Sequence, residues 1–93
     1  MERRYGKFIW DADKEAVNIA KHGIDFTTAA KVFLDPGRKI FTDSMHGEEE
    51  PGYFCIGMAE GRIVTVRFTY REDYIRIFGA GYWRKGRAHY EED

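Results

Sequence analysis

Arg62-Ile63-Val64-Thr65-Val66-Arg67-Phe68-Thr69-Tyr70 decides the fold of this chain. Val64, Val66 and Phe68 fall on one side of a two-residue period, and Ile63, Thr65, Arg67 and Thr69 on the other. That alternation is the mark of a strand with two unlike faces. Working outward, Glu60-Gly61 is a tight turn signal, and Tyr53 to Ala59 before it is apolar and strand-like. After it, Arg71-Glu72-Asp73 turns the chain into Tyr74 to Ala80, where Ile75 and Ile77 alternate with Tyr74, Arg76 and Phe78. Short turns join antiparallel neighbours, so these three strands form a meander. Arg38 to Thr42 is a further candidate strand. The polar stretch 43–52 between it and the meander holds Pro51 and Glu48-Glu49-Glu50, and is the segment expected to be mobile.

Toward the N-terminus the period changes. Tyr5 to Trp10 reads as a short strand. Asp11 to His22 reads as a helix, with Ala16, Ile19 and Ala20 on one face. Asp11 or Asp13 can cap its start, and Gly23 can end it, because a left-handed residue costs glycine little. Asp25 or Thr27 can cap a second short helix with Ala29, Ala30 and Phe33 on its apolar side, ended by Asp35-Pro36-Gly37. Arg84 to Glu92 reads as a short charged helix. The order β-α-α-β-β-β-β-α predicts an α+β fold, a small antiparallel sheet with helices packed on one face.

Ninety-three residues suit one small domain with a modest core, and seven Phe, six Tyr and two Trp argue against disorder. No apolar run approaches the roughly 20 residues that span a bilayer. The first residues lack the apolar stretch of a secretory signal, and a cytoplasmic location is the default expectation. The single cysteine, Cys55, excludes an intrachain disulfide and a cysteine zinc cluster, and no metal or other cofactor is expected. A net charge of −1 counts against avid nonspecific nucleic-acid binding. Yet six of the sixteen acids lie in Glu48–Glu50 and Glu91–Asp93, and the ten left face fifteen Lys and Arg. A local basic surface is compatible with that count.

Several residues exceed what folding requires. If Val64, Val66, Phe68, Ile75 and Ile77 face the helices, Arg67 and Arg76 share the other face on neighbouring strands, with Arg71 at the turn. Paired guanidiniums suit a phosphate, which each can grip with two hydrogen bonds. Any one of these arginines is better explained by an exposed ion pair or a snorkelling side chain, and only as a set do the three weigh equally toward a phosphate. Lys14, Asn18 and Lys21 form one helical stripe, either solvated or bound to a phosphate backbone or an acidic partner. His22 is a candidate acid or base near neutral pH, or simply a cap on the helix carbonyls. Tyr82, Trp83 and Tyr90 mixed with Arg84, Lys85, Arg87 and His89 match what single-stranded RNA recognition uses, stacking plus charge. Tyr53, Phe54 and Trp83 are candidate anchors for a partner chain.

Phe8, Trp10, Asp11, Lys14, Asn18, Lys21, His22, Gly23, Ile24 and Phe26 also form a pattern of fixed spacing that resembles the opening of the BrnT toxins of bacterial type II toxin–antitoxin systems. The resemblance extends through Ala29-Ala30, Val32-Phe33, Asp35-Pro36, Ile56-Gly57, Phe68-Thr69, Arg71 and Arg76-Ile77. It implies a RelE-like fold and a ribonuclease that arrests translation by metal-independent attack of a 2′-OH on the adjacent phosphate. It implies Arg67, Arg71 and Arg76 as charge-stabilising groups, His22 or His89 as proton carrier, Tyr90 as a further catalytic group, and Lys14 or Lys21 on the phosphate. Trp83, Arg84, Lys85 and Arg87 would then contact RNA. It further implies a BrnA-like ribbon-helix-helix antitoxin as partner, with DNA met indirectly through that antitoxin. Whether the toxin dimerises within the complex stays open. Gly79-Ala80-Gly81 stands where the family commonly runs Ser-Ala-Arg, so the alternative is a toxin-like binding module of weak or absent activity.

Overall fold

The computed structural model describes residues 1–43 and 52–92. The acidic run expected in a mobile loop lies outside the described residues. Among the described residues, six strands form one sheet: β1 (Glu2–Tyr5), β2 (Phe8–Asp11), β3 (Lys39–Asp43), β4 (Gly52–Ala59), β5 (Arg62–Arg71) and β6 (Tyr74–Gly81). Their spatial order is β1-β2-β6-β5-β4-β3. The helices are α1 (Ala12–His22), α2 (Phe26–Ala30), continued by a 3-10 turn Lys31–Leu34, and α3 (Arg84–Glu91). Among the described residues, no helix is long and apolar enough to cross a membrane.

The meander is as expected, β4-β5-β6 antiparallel with Cys55 opposite Val66 and Phe68 opposite Ile77. Val64, Val66, Phe68 and Ile77 are buried against Phe26, Ala29, Ala30 and Val32 of the α2 segment, so that segment covers one face. Three details differ from the sequence expectation within this α+β architecture. The predicted strand Tyr5 to Trp10 runs through a turn: Gly6, at φ 61°, reverses the chain, and an additional strand, β1, pairs antiparallel with β2. β2 then runs parallel to β6, so the sheet is mixed. Finally, α3 crosses the opposite face, over Thr65. A Cβ on Gly86 would lie 1.9 Å from Thr65 Oγ1, so glycine is what lets this helix lie so close to the strand.

Helix α1 is turned inside out relative to its apolar pattern. Ala16, Ile19 and Ala20 are exposed, and the inward residues are Glu15, Asn18 and His22. Glu15 explains part of this. Its Oε1 accepts from Trp10 Nε1 at 3.0 Å and its Oε2 from the Phe26 N–H at 2.9 Å, so it holds the indole and caps α2. Asp11 caps α1 itself, accepting from the Lys14 N–H at 3.1 Å, which holds its carboxyl below the usual range. Gly23, at φ 71°, closes the helix by donating to the Ile19 carbonyl. At the far end of the molecule, Lys39 Nζ donates to the His89 and Glu92 carbonyls and ties the C-terminus of α3 to β3.

Candidate active site

β2 pairs with β6 only near Phe8 and Ile9, leaving the later half of β6 without a strand on that side. Asn18 takes the strand's place. Its Nδ2 donates to the Ala80 and Ile24 carbonyls, both at 3.0 Å, and its Oδ1 accepts from the Ala80 N–H at 3.1 Å. This buried carboxamide satisfies both backbone groups of Ala80 and fixes α1 beside the sheet. Lys14, Lys21 and His22, one turn to either side of Asn18, therefore stand at a set distance from β6.

Between α1 and the sheet lies an open cavity of about 350 Å³, lined by Lys14, Asn18, Lys21, His22, Arg67, Phe78, Gly79 and Trp83, with Asp13 and Val17 on its α1 side. Arg67 enters from β5 directly opposite Gly79. A Cβ on Gly79 would lie 3.8 Å from the Arg67 side chain and 3.9 Å from Asn18, so the glycine leaves the floor low between them. The register shifts at Arg67/Phe68, and Phe78 is the extra residue on β6. Its ring lies 5.9 Å from Arg67 Cζ and 5.9 Å from Lys14 Nζ, a shared aromatic support for two cations. The His22 ring meets Trp83 edge-on at 5.2 Å. Arg67 lies 3.9 Å from Asp43 in a loose ion pair. Three cations and an imidazole around one concavity can take a phosphodiester and move a proton beside it.

Other predicted residues lie elsewhere. Thr69 is opposite Arg76, so Arg67 and Arg76 share a face as diagonal neighbours and not as an opposed pair. Arg76 lies 3.6 Å from Glu2, and Arg71 is exposed at the end of β5; neither lines the cavity. The Tyr90 hydroxyl donates to Asp35 Oδ2 at 2.5 Å, and Asp35 also accepts from the Met58 and Gly37 N–H groups. The tyrosine and these two amides hold the Asp35 carboxyl low, and the carboxylate pushes the Tyr90 hydroxyl up. Arg84, Lys85 and Arg87 are exposed on α3, with Arg87 3.3 Å from Glu91. Phe54 and Trp83 line a second, larger hollow of about 550 Å³ under α3, with Phe41, Ile56, Lys85 and His89. Tyr53 is on the other side of the sheet, stacked on Phe68 at 5.5 Å. The three proposed partner anchors do not share a face.

Phe78 and Gly79 line the cavity without any signal in the sequence. The bulge that brings them there leaves no mark in the alternation of Tyr74 to Ala80. Among the described residues, no three His, Cys, Asp or Glu side chains are grouped to hold a metal ion. Burial pushes the Cys55 thiol up to about 12, far from a reactive thiolate.

Fold and cleft define a small α+β protein with a cation-lined concavity at the junction of helix and sheet. The family described as ribonuclease toxin, BrnT, of type II toxin-antitoxin system matches residues 10–86, and the chain belongs to it. A search of curated proteins gave no match.

Proposed function

We propose that this chain is an endoribonuclease toxin that cuts RNA in the cleft between α1 and the sheet. The observation that carries the reading is the convergence of Lys14, Lys21, His22 and Arg67, from a helix and a strand far apart in sequence, on one cavity. The scissile phosphate sits against Arg67, with Lys14 and Lys21 on its flank. The 2′-OH gives up its proton and attacks phosphorus, and the 5′-oxygen leaves with a proton. His22 carries one of these protons, and the cations offset the charge that builds on the phosphoryl oxygens. The mechanism requires no metal. Arg76 and Arg71 guide the strand next to the cleft, while Tyr90 positions α3 through Asp35. Trp83 offers a ring to a base beside the scissile bond. A BrnA-like ribbon-helix-helix antitoxin neutralises the toxin in the cytoplasm, and the pair represses its own operon.

One observation favours a second reading, a binding module without activity. Gly81 stands where the family commonly carries an arginine, and a Cβ there would lie 2.7 Å from the Trp83 ring. No longer side chain fits unless the indole moves, so this position supplies no cation. Expression from a tight inducible promoter separates the readings. Growth arrest with RNA decay, relieved by Arg67→Ala, supports the ribonuclease. Normal growth with folded, abundant wild type supports the binding module.

A further inference from the structure

The sheet face that carries Arg67 does not end at the cleft. Arg4 pairs with Ile9, Ile9 with Arg76, and Arg76 with Thr69. Residues in register on adjacent strands point to one face, so Arg4, Arg76 and Thr69 stand in one row beside Arg67. Arg4 is held ready in that row: its Nη1 lies 3.3 Å from the Tyr74 hydroxyl and its Cζ 5.4 Å from the Tyr74 ring. Among the described residues no carboxylate pairs with it. Arg76 has a partner in Glu2, but the contact is 3.6 Å and the carboxylate is largely exposed, so a phosphate can displace it. β1 lies outside residues 10–86 that match the family, so family membership assigns it nothing.

We propose that this row is a second RNA-binding site, a track for the single-stranded backbone that runs from the cleft across β6 to the N-terminal hairpin, with Arg4 as its outer phosphate contact. The track rests on the ribonuclease reading and extends it. Arg4 is three strand spacings from β5, about 14 Å, a span that several nucleotides of extended backbone cover. Guanidiniums suit such a path because each grips a phosphate whatever the base, so the track adds affinity without sequence preference. Glu2 acts as a negative gate beside Arg76 and weakens the track.

The test uses RNA in which every 2′-OH is methylated, so that it binds without being cut. Anisotropy titrations compare a 5′-phosphorylated trinucleotide, which carries three phosphates, with a strand of roughly 12 nucleotides. For the longer strand, Arg4→Ala is expected to weaken binding several-fold and to flatten the salt dependence by about 0.7 in log–log slope. Glu2→Gln is expected to tighten it. Lys31→Gln, which removes a charge paired with Glu60 at the end of α2, is the control and is expected to change neither. The trinucleotide is expected to respond to Arg67→Ala and not to Arg4→Ala. If Arg4→Ala and Glu2→Gln both match wild type on the longer strand while Arg67→Ala loses binding, the track is overturned and the cleft stands. If wild type binds neither RNA, the track and the ribonuclease reading fall together.

Discussion

Asn18 carries more of this site than any charged residue, although it touches no phosphate in the proposed reaction. Its carboxamide is matched to both backbone groups of Ala80 and to the Ile24 carbonyl. Asn18→Ala would leave these groups buried and unpaired, at about 1–3 kcal/mol for each one that water cannot reach. A loss of about 2–4 kcal/mol in urea unfolding is expected, with cleft binding lost before the fold. An unchanged midpoint would refute the role. Tyr90 gives a second residue-scale prediction, this one dependent on pH. Asp35 is held below its ordinary value of 3.8 by Tyr90 and two amides, so the stability it adds is present above that value and lost as pH falls through the folded one. Tyr90, raised above its ordinary 10.0, adds stability below that value and loses it as pH climbs through the raised one. Tyr90→Phe should therefore destabilise most at neutral pH, with the gap to wild type closing toward both extremes. A pH-independent gap in thermal unfolding would mean the hydroxyl merely fills space.

At the scale of the element, α3 is fixed by how close it lies to β5. Gly86→Ala would drive a methyl into Thr65 Oγ1, and overpacking of this kind costs about 1–3 kcal/mol. That oxygen is buried and has no hydrogen-bond partner among the described residues, so Thr65→Ala sacrifices no bond while making room. The double variant should recover most of the stability, a coupling that denaturant titration of the cycle would measure. Additive losses would show that α3 is held by something other than this contact. The same scale separates what sequence could deliver from what it could not. The meander was legible because alternation in Arg62 to Tyr70 is a local property of the chain. The parallel pairing of β2 with β6 was not, since no local pattern records which distant strand lies alongside. Nor was the hairpin at Gly6, because its turn is so short that Tyr5 to Trp10 has the pattern of a single strand. The inward face of α1 was hidden as well: Ala16, Ile19 and Ala20 have the spacing of a buried stripe, but Glu15 and Asn18 are needed inside to satisfy Trp10, Phe26 and Ala80.

Over the whole molecule, the placing of a few cations matters more for RNA than the total charge. A net charge of −1 gives no general pull on RNA. The residue types for a phosphate site were legible, and Lys14, Lys21, His22 and Arg67 do share a cavity. What sequence could not give was how Arg67 relates to Arg76, because that depends on the register shift at Phe78 and on the bare floor at Gly79. This placing predicts a measurable salt response. Each phosphate met on a single strand contributes about −0.7 to the slope of log affinity against log salt. With Arg67 on the scissile phosphate and Lys14 and Lys21 each on a neighbouring one, the cleft implies about −2, hence roughly a twenty-fold loss in affinity between about 50 and 200 mM salt. Engagement of Arg76 and Arg4 as well raises the slope to about −3.5. The two values are far enough apart to be distinguished in one titration series with uncleavable RNA. A slope near zero would mean that RNA is held through bases or not at this face, and would remove the electrostatic basis of the cleft. A slope near −2 for short RNA that steepens with strand length would mean that a chain of almost no net charge holds RNA through the arrangement of a few cations on one side of its sheet.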